Sequence, residues 1–168
     1  MKRLLFLLVL LIAYSLPTIA QNFVFMGENS YPSTEVFTLK SNSDKENVSD
    51  LQLAFAKEGD KALIVVSSKL TDAVKIAGKL IIYLEDGTVI SCVDRGINDN
   101  VDDIAKTAYY LTKSELTKLT RSNINTIRFE IVCPPCGSFN AWEGTYSATN
   151  KGSSKSNFTT IVTEFYYQ

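Results

Sequence analysis

The sequence predicts a mainly β fold, an antiparallel β-sandwich or open barrel that carries one short helix. Short apolar stretches alternate with polar residues at a period of two, which is typical of strands with one buried face. Turn residues separate these stretches at short intervals, and one helix-capping pattern occurs, at Thr112–Glu115. Long helices do not alternate with the strands, so the pattern does not indicate a parallel βαβ fold.

The first 20 residues predict a cleavable export signal. Lys2 and Arg3 precede the apolar run 4–13, and the small Ala20 ends the segment. Basic, apolar and small-residue regions in this order are typical of a secretory signal peptide, and the apolar run is too short for a spanning helix. We expect residues 21–168 to form a single mostly β domain that is secreted or periplasmic; a retained N-terminal anchor is the alternative.

The charge of the chain disfavours two classes of partner. The formal net charge is −1, and loss of Lys2 and Arg3 with the signal would shift it to about −3. An acidic chain without a basic patch is not suited to nucleic acid or to an anionic membrane surface. No second apolar stretch is long enough to span a membrane, so we do not expect an integral membrane protein.

The first half of the chain predicts two strands and their connections. Leu51, Leu53 and Phe55 alternate with smaller or polar residues, as in a half-buried strand, and residues 62–66 are apolar on both faces, as in a central strand. The remaining predictions are an irregular arm with at most a short strand over 21–34, an apolar stretch over 36–39, a loop over 41–47 and a turn over 57–60.

The clearest local signal is a hairpin over residues 80–93. Two apolar strands flank Asp86-Gly87, and glycine accepts the positive φ that a tight turn demands. The polar stretch 94–103 predicts a turn-rich connection. Residues 104–111 are ambiguous between helix and strand, with 107–111 favouring strand.

The helix prediction depends on a capping box. The Thr112 hydroxyl can accept from the Glu115 amide while the Glu115 carboxylate reaches back to the Thr112 amide, which predicts a short helix over about 112–121. Residues 127–131 then alternate as a half-buried strand. In the tail, the apolar segment 158–167 is ambiguous between helix and strand, with the β-branched run 159–163 favouring a strand.

Three segments resemble a pattern in small secreted proteins of Bacteroidetes-type bacteria. The segments are the string Tyr83-Leu84-Glu85-Asp86-Gly87-Thr88-Val89-Ile90, then Tyr110-Leu111-Thr112 with Glu115-Leu116 and Leu119, then Ile124 with Ile127-Arg128. The resemblance covers about the middle third of the chain. It implies an exported bacterial β protein and implies no reaction.

The chain contains no histidine. This excludes Ser-His and Cys-His nucleophilic pairs, imidazole general bases and most catalytic zinc sites. We assign no catalytic residue, no cofactor and no metal ligand from the sequence.

Cys133-Pro134-Pro135-Cys136 is the sharpest chemical feature. A CxxC pair in an exported protein can be a redox site, a structural bridge, or a pair of free or zinc-bound thiols. The following residues 137–144 form a poor helix, and a thioredoxin-like site needs a long one, so we favour a bridge. Three cysteines leave the connectivity open: Cys133 with Cys136, or Cys92 with either.

Two further clusters are weaker candidates. Asn98, Asn100 and Asp102 alternate as oxygen ligands for Ca²⁺ would, but the spacing matches no full calcium loop and a turn-rich connection explains the same residues. Trp142, with Tyr146, Phe139 and the terminal Tyr166 and Tyr167, is where we would place an aromatic binding face for a sugar or a protein, although we favour core packing as the role of most of these residues.

These observations favour an exported, non-enzymatic domain that binds an unidentified protein or glycan. The first alternative is a thiol-disulfide oxidoreductase that uses Cys133 as nucleophile and Cys136 to resolve it. The second is a structural subunit that assembles with copies of itself through an exposed strand edge.

Overall fold

The computed structural model describes residues 21–44, 48–70, 74–134 and 143–167. Within these ranges the chain is mainly β, with one large antiparallel sheet that is not closed into a barrel, and this confirms the predicted fold class. The predicted signal peptide lies outside the described residues. No helix in the described ranges has both the length and the apolar character that a membrane crossing requires.

Eleven strands and two α-helices are described. The strands are β1 (Asn22–Met26), β2 (Asn29–Ser33), β3 (Phe37–Ser41), β4 (Leu51–Glu58), β5 (Lys61–Lys69), β6 (Lys75–Leu84), β7 (Val89–Cys92), β8 (Asn98–Val101), β9 (Ile104–Leu111), β10 (Ile124–Val132) and β11 (Gly144–Thr149). The helices are α1 (Lys113–Leu119) and α2 (Phe158–Tyr167), with a 3₁₀ turn at Gly152–Ser154.

The sheet has two halves that meet at β3. Its strand order is β7-β6-β10-β11-β3-β4-β5-β9-β8, and β1 and β2 form a side branch on β4. The junction is short, because β11 pairs with β3 only at Ala148↔Ser41 and Thr149↔Lys40. A short ladder of this kind lets the two halves turn towards each other.

Side chains join the two halves again on the opposite side. There β6 packs across β9, and the buried Thr107 hydroxyl donates to the carbonyl of Ile76. Nearby, the Asn100 side-chain amide donates to the carbonyl of Val74 over 2.9 Å. The sheet therefore encloses its core without a closed backbone ladder.

The main core lies between the two halves. The alternating residues of β4 and β10 point into it, and Leu51, Leu53 and Phe55 of β4 are fully buried. Ile127, Phe129 and Ile131 do the same from β10, as their period of two predicts. The predicted strands at 51–55 and 127–131 are confirmed.

The irregular arm predicted for residues 21–34 is wrong, because these residues form the β1–β2 hairpin. The turn has two residues, Gly27 and Glu28, and Gly27 has a φ of 57° at the first position, the pattern of a type II′ turn. The sequence signal was weak because Pro32 and the short strands interrupt the apolar alternation. Pro32 is accommodated on a side-branch strand that pairs with β4 only at Ser33↔Ala56.

The β1–β2 hairpin creates a second core on the other face of β4, β5 and β9. Val24, Met26 and Tyr31 pack there against small and branched side chains, namely Ala54, Ala56, Leu63, Val65 and Ala108. Residues 62–66 of β5 are consequently buried on both faces, which confirms the predicted central strand.

The 80–93 hairpin is confirmed as β6–β7, and residues 104–111, which were ambiguous between helix and strand, form the strand β9. The connection over 94–103 is more regular than predicted, because Asn98–Val101 form the edge strand β8. Asp102 and Asp103 make the two-residue turn into β9, and both have positive φ, 53° and 62°. Asp tolerates this region better than most residues, so a turn without glycine can close the hairpin.

Helix α1 begins as the capping box predicts. The Glu115 amide donates to the Thr112 hydroxyl over 3.2 Å, and the Thr112 amide donates to the Glu115 carboxylate over 2.7 Å. Leu116 and Leu119 are buried on its inner face. The helix ends at Leu119, two residues before the predicted end.

The strand predicted from the β-branched run 159–163 is wrong, because residues 158–167 form helix α2. Phe158 and Val162, four residues apart, are buried on one face. The Phe158 amide donates to Asn123 over 2.9 Å, and Asn150 accepts from the Ser156 amide over 2.9 Å. Contacts with distant residues fix the start of the helix and override the local strand preference.

We expect Thr112→Ala to lower the free energy of unfolding by about 1 kcal/mol, because it removes the hydroxyl that caps α1. The matched control is Thr117→Ala in the same helix, where the hydroxyl donates only to the Lys113 carbonyl one turn back. The control should change the free energy of unfolding by less than about 0.5 kcal/mol. Urea unfolding followed by circular dichroism measures both, and equal losses would contradict the capping role.

Candidate functional site

The structure describes two of the three cysteines predicted as disulfide candidates. Cys92, at the end of β7, is a buried free thiol, and Cys133, which directly follows β10, is also buried. Burial and the negative charge of Glu115 raise the pKa of Cys92 to about 12. Cys136 lies outside the described residues. The raised pKa of Cys92 disfavours the reactive thiolate, so Cys92 is not an activated thiol.

Besides Tyr166 and Tyr167 on α2, the aromatic group predicted as a binding surface is described only at Tyr146. Its ring is 8% exposed and stacks on Phe129 of the neighbouring strand, with centroids 6.1 Å apart and an interplanar angle of 29°. Tyr146 therefore contributes to the main core. Phe139 and Trp142 lie outside the described residues, so a binding role for this group stays a prediction.

Two acidic side chains of the 94–103 stretch accept hydrogen bonds from backbone amides. Asp94 accepts from the amides of Gly78 and Gly96, over 3.0 and 2.7 Å. Asp99 accepts from the Gly27 amide over 3.0 Å and ties the β1–β2 hairpin to β8. Among the described residues, no three acidic or cysteine side chains are grouped so that they could hold a metal ion.

A cavity of about 560 Å³ lies where the β4–β5 turn meets the two helices. We call it the lysine–tyrosine cavity. Three lysines and an apolar wall line it: Lys57, Lys61 and Lys113, with Leu116, Tyr166 and Tyr167. Volumes of about 300–1,000 Å³ are usual for small-molecule sites, and such sites combine an apolar lining with a few polar groups.

Three local structures bring these side chains together. Gly59, with a φ of 56°, makes the tight turn between Glu58 and Lys61, so that Lys57 and Lys61 flank one hairpin end. The capping box starts α1 at Lys113. Helix α2 then carries Tyr166 and Tyr167 to the same place.

Tyr166 is the most firmly held part of the wall. Its hydroxyl donates to the carbonyls of Ala56 and Leu63, over 2.9 and 2.7 Å, and its ring meets Phe55 edge-on at 6.2 Å. Burial raises the pKa of this hydroxyl above its ordinary value, which disfavours the phenolate and preserves the donor. The ring is a rigid surface because both ends of the side chain are fixed.

Lys57 lies against aromatic rings. Its ammonium is 4.8 Å from the Phe165 ring centroid and 5.7 Å from that of Tyr166. Cation–π contacts of this kind hold the charge at the rim of the cavity. None of the ion pairs or side-chain hydrogen bonds among the described residues engages the ammonium of Lys57 or of Lys113.

The charge of Lys61 is already matched. Glu58 accepts from the Tyr110 hydroxyl over 2.6 Å and from Lys61 over 3.1 Å. The Tyr110 hydrogen bond and then the Lys61 contact lower the pKa of Glu58, and Glu58 raises the pKa of Lys61. Asp60 is the acidic residue of the lining, and three lysines outnumber it. The cavity is therefore positive, although the formal net charge of the chain is −1.

A larger depression, of about 760 Å³, lies beside the β6–β7 turn but differs in chemistry. Its lining has no aromatic or aliphatic side chain, and Lys155 forms an ion pair with Glu85 over 2.9 Å. A ligand there would have to displace water and break existing pairs. The lysine–tyrosine cavity is therefore the better candidate site.

The sequence predicted Tyr166 and Tyr167 only as part of an aromatic face with Trp142, and it did not identify the lysine–tyrosine cavity. Its lysines are at positions 57, 61 and 113, and its tyrosines belong to the segment predicted as a strand. The available signal was the spacing of Phe158, Val162 and Tyr166, which recurs every four residues and is typical of one helix face.

No family model matches the chain, and no similar protein was found among curated proteins or among solved structures.

Proposed function

We propose that this chain is an exported, non-enzymatic binding domain and that the lysine–tyrosine cavity is its ligand site. The proposal is carried by two features that one cavity combines. Tyr166 forms a fixed aromatic wall, and the Lys57 ammonium has no ion-pair partner among the described residues. A rigid apolar surface beside an unmatched charge is suited to binding, because neither has to be freed first.

The chemistry of the chain supports binding more than catalysis. The sequence has no histidine, and the described free thiol is buried with a raised pKa. The alternative of a thiol-disulfide oxidoreductase would need Cys133 to be accessible, whereas Cys133 is 2% exposed and follows a strand of an antiparallel sheet.

Export, to the periplasm or the cell exterior, is part of the proposal. Its support is the order of basic, apolar and small residues in segment 1–20. The resemblance to small secreted Bacteroidetes-type proteins points the same way. We also propose a structural Cys133–Cys136 bridge, because Cys92 is a free thiol and therefore is not the partner of Cys133.

The cavity should respond to small aromatic molecules. We expect naphthalene-2-methanol, titrated into ¹⁵N-labelled protein, to shift the amide signals of residues 57–62, 113–117 and 166–167. Thr117→Trp, which adds bulk to the lining, should weaken these shifts, whereas Lys118→Trp on the exposed side of α1 should not. The absence of cavity shifts with this probe and with its charged analogues would overturn the proposed function.

The cysteines should differ in reactivity. Native protein at about pH 8 should take up no iodoacetamide, because a pKa of about 12 leaves only about one Cys92 thiol in 10⁴ ionised and burial blocks access. Denatured, unreduced protein should gain one adduct by intact mass, and reduced protein three. Three adducts without reduction would contradict the bridge.

A second candidate function, self-assembly, is favoured by the outward face of β1. Val24 and Met26 pack inward, whereas Phe23 and Phe25 are 46% and 61% exposed. Among the described strands β1 pairs only with β2, so its other edge presents unpaired backbone groups to a second copy of the chain.

If β1 mediates assembly, the wild-type protein should be a dimer in light scattering coupled to size exclusion, and Phe23→Ser/Phe25→Ser should be a monomer. Val36→Ser, which removes another exposed apolar side chain outside the hairpin, is the matched control and should leave the dimer intact. A wild-type monomer at high protein concentration would exclude this function.

A further inference from the structure

We propose that the lysine–tyrosine cavity selects small organic anions, molecules that join a flat apolar body to a carboxylate or similar acidic group. This inference rests on the proposed function, because it names the ligand class of the same site. Three properties of the cavity carry it: unmatched positive charge, a fixed flat wall, and a size that fits one small molecule.

The unmatched charge comes from two different elements. Lys57 is on β4 and Lys113 opens α1, and within the described part of the chain neither ammonium has a carboxylate within ion-pair distance. Each ammonium has three N–H donors and no acceptor. A carboxylate at the rim would therefore gain charge-assisted hydrogen bonds without displacing an existing partner.

The position of Lys57 is set before a ligand arrives. The rings of Phe165 and Tyr166 hold its ammonium at 4.8 and 5.7 Å from their centroids. A lysine on a free surface loses rotamer freedom when it pairs, which reduces the net gain. Lys57 has already lost part of that freedom, so less is lost on binding.

Lys61, the third lysine of the lining, is not available to pair with an anionic ligand in the same way. Lys61 is held by Glu58 at 3.1 Å and lies over the Tyr110 ring at 5.1 Å. An anion that approached Lys61 would also approach the Glu58 carboxylate. The geometry therefore places the acidic group of the ligand towards Lys57 and Lys113.

The apolar body of the ligand has a defined surface to contact. The Tyr166 ring cannot turn away, because its hydroxyl is bound to two backbone carbonyls. Leu116 lines the same cavity from α1, and Tyr167, 57% exposed, can close over a bound ring. A flat molecule gains most from such a wall, because aromatic rings pack offset-stacked or edge to face.

The test compares three naphthalene derivatives that differ in the charge of one substituent: naphthalene-2-methanol, 2-naphthylmethylamine and 2-naphthoate. NMR titration of the cavity amides gives a dissociation constant for each. We expect 2-naphthoate to bind about tenfold more tightly than the alcohol and the amine to bind most weakly. Raising the salt concentration should weaken only the 2-naphthoate interaction appreciably.

The lysines are tested with one kind of variant that removes the positive charge and another that keeps it. Lys57→Gln and Lys113→Gln should each weaken 2-naphthoate binding about threefold to fivefold and leave binding of the alcohol within about twofold. Lys57→Arg, which keeps the charge over the rings, should retain binding. Lys118→Gln is the control, because it removes the same charge from the exposed side of α1.

The outcomes separate the two proposals. If the alcohol binds at the cavity as tightly as 2-naphthoate, or if Lys118→Gln weakens 2-naphthoate binding as much as Lys57→Gln does, selection of anions is wrong while the cavity remains a binding site. If none of the three probes shifts the cavity amides, the proposed function is wrong and the inference fails with it.

Discussion

The packing of helix α2 against β4 and β5 is the contact on which the candidate site depends. Phe158 is fully buried and meets Phe37 and Phe55 edge-on, at 5.5 and 6.1 Å, at the start of the helix. Eight residues later, the Tyr166 hydroxyl spans the carbonyls of Ala56 and Leu63. A helix held at both ends cannot slide, so the wall of the cavity is positioned as rigidly as the sheet.

The β1–β2 hairpin supports this arrangement from the other side of the sheet. It buries the outer face of β4, β5 and β9 under Val24, Met26 and Tyr31, so the strands that hold α2 are packed on both faces. A central strand covered on both sides resists local opening, because each residue must leave two sets of contacts. The base of the cavity therefore belongs to the part of the chain that we expect to open last.

The sequence predicts those parts of the fold whose signal is local. The alternation of Leu51, Leu53 and Phe55, the Asp86-Gly87 turn and the Thr112–Glu115 box each contain their own cause within a few residues, and each is confirmed. Helix α2 is different, since a β-branched run favours strand until the distant Asn123 and Asn150 fix its start. The site was missed for the same reason: no local pattern joins lysines 57 and 113 to a tyrosine at 166.

The electrostatics of the cavity show why net charge is a poor guide to what a protein binds. The chain is slightly acidic, and its exposed charges are largely screened from each other beyond about 10 Å at an ionic strength of about 0.1 M. A ligand within the cavity therefore experiences Lys57 and Lys113 more strongly than the excess of carboxylates elsewhere. Because Glu58 is engaged by Tyr110 and Lys61, it does not cancel that field fully. An acidic chain can thus present a local site for anions, provided that separate elements bring its lysines together.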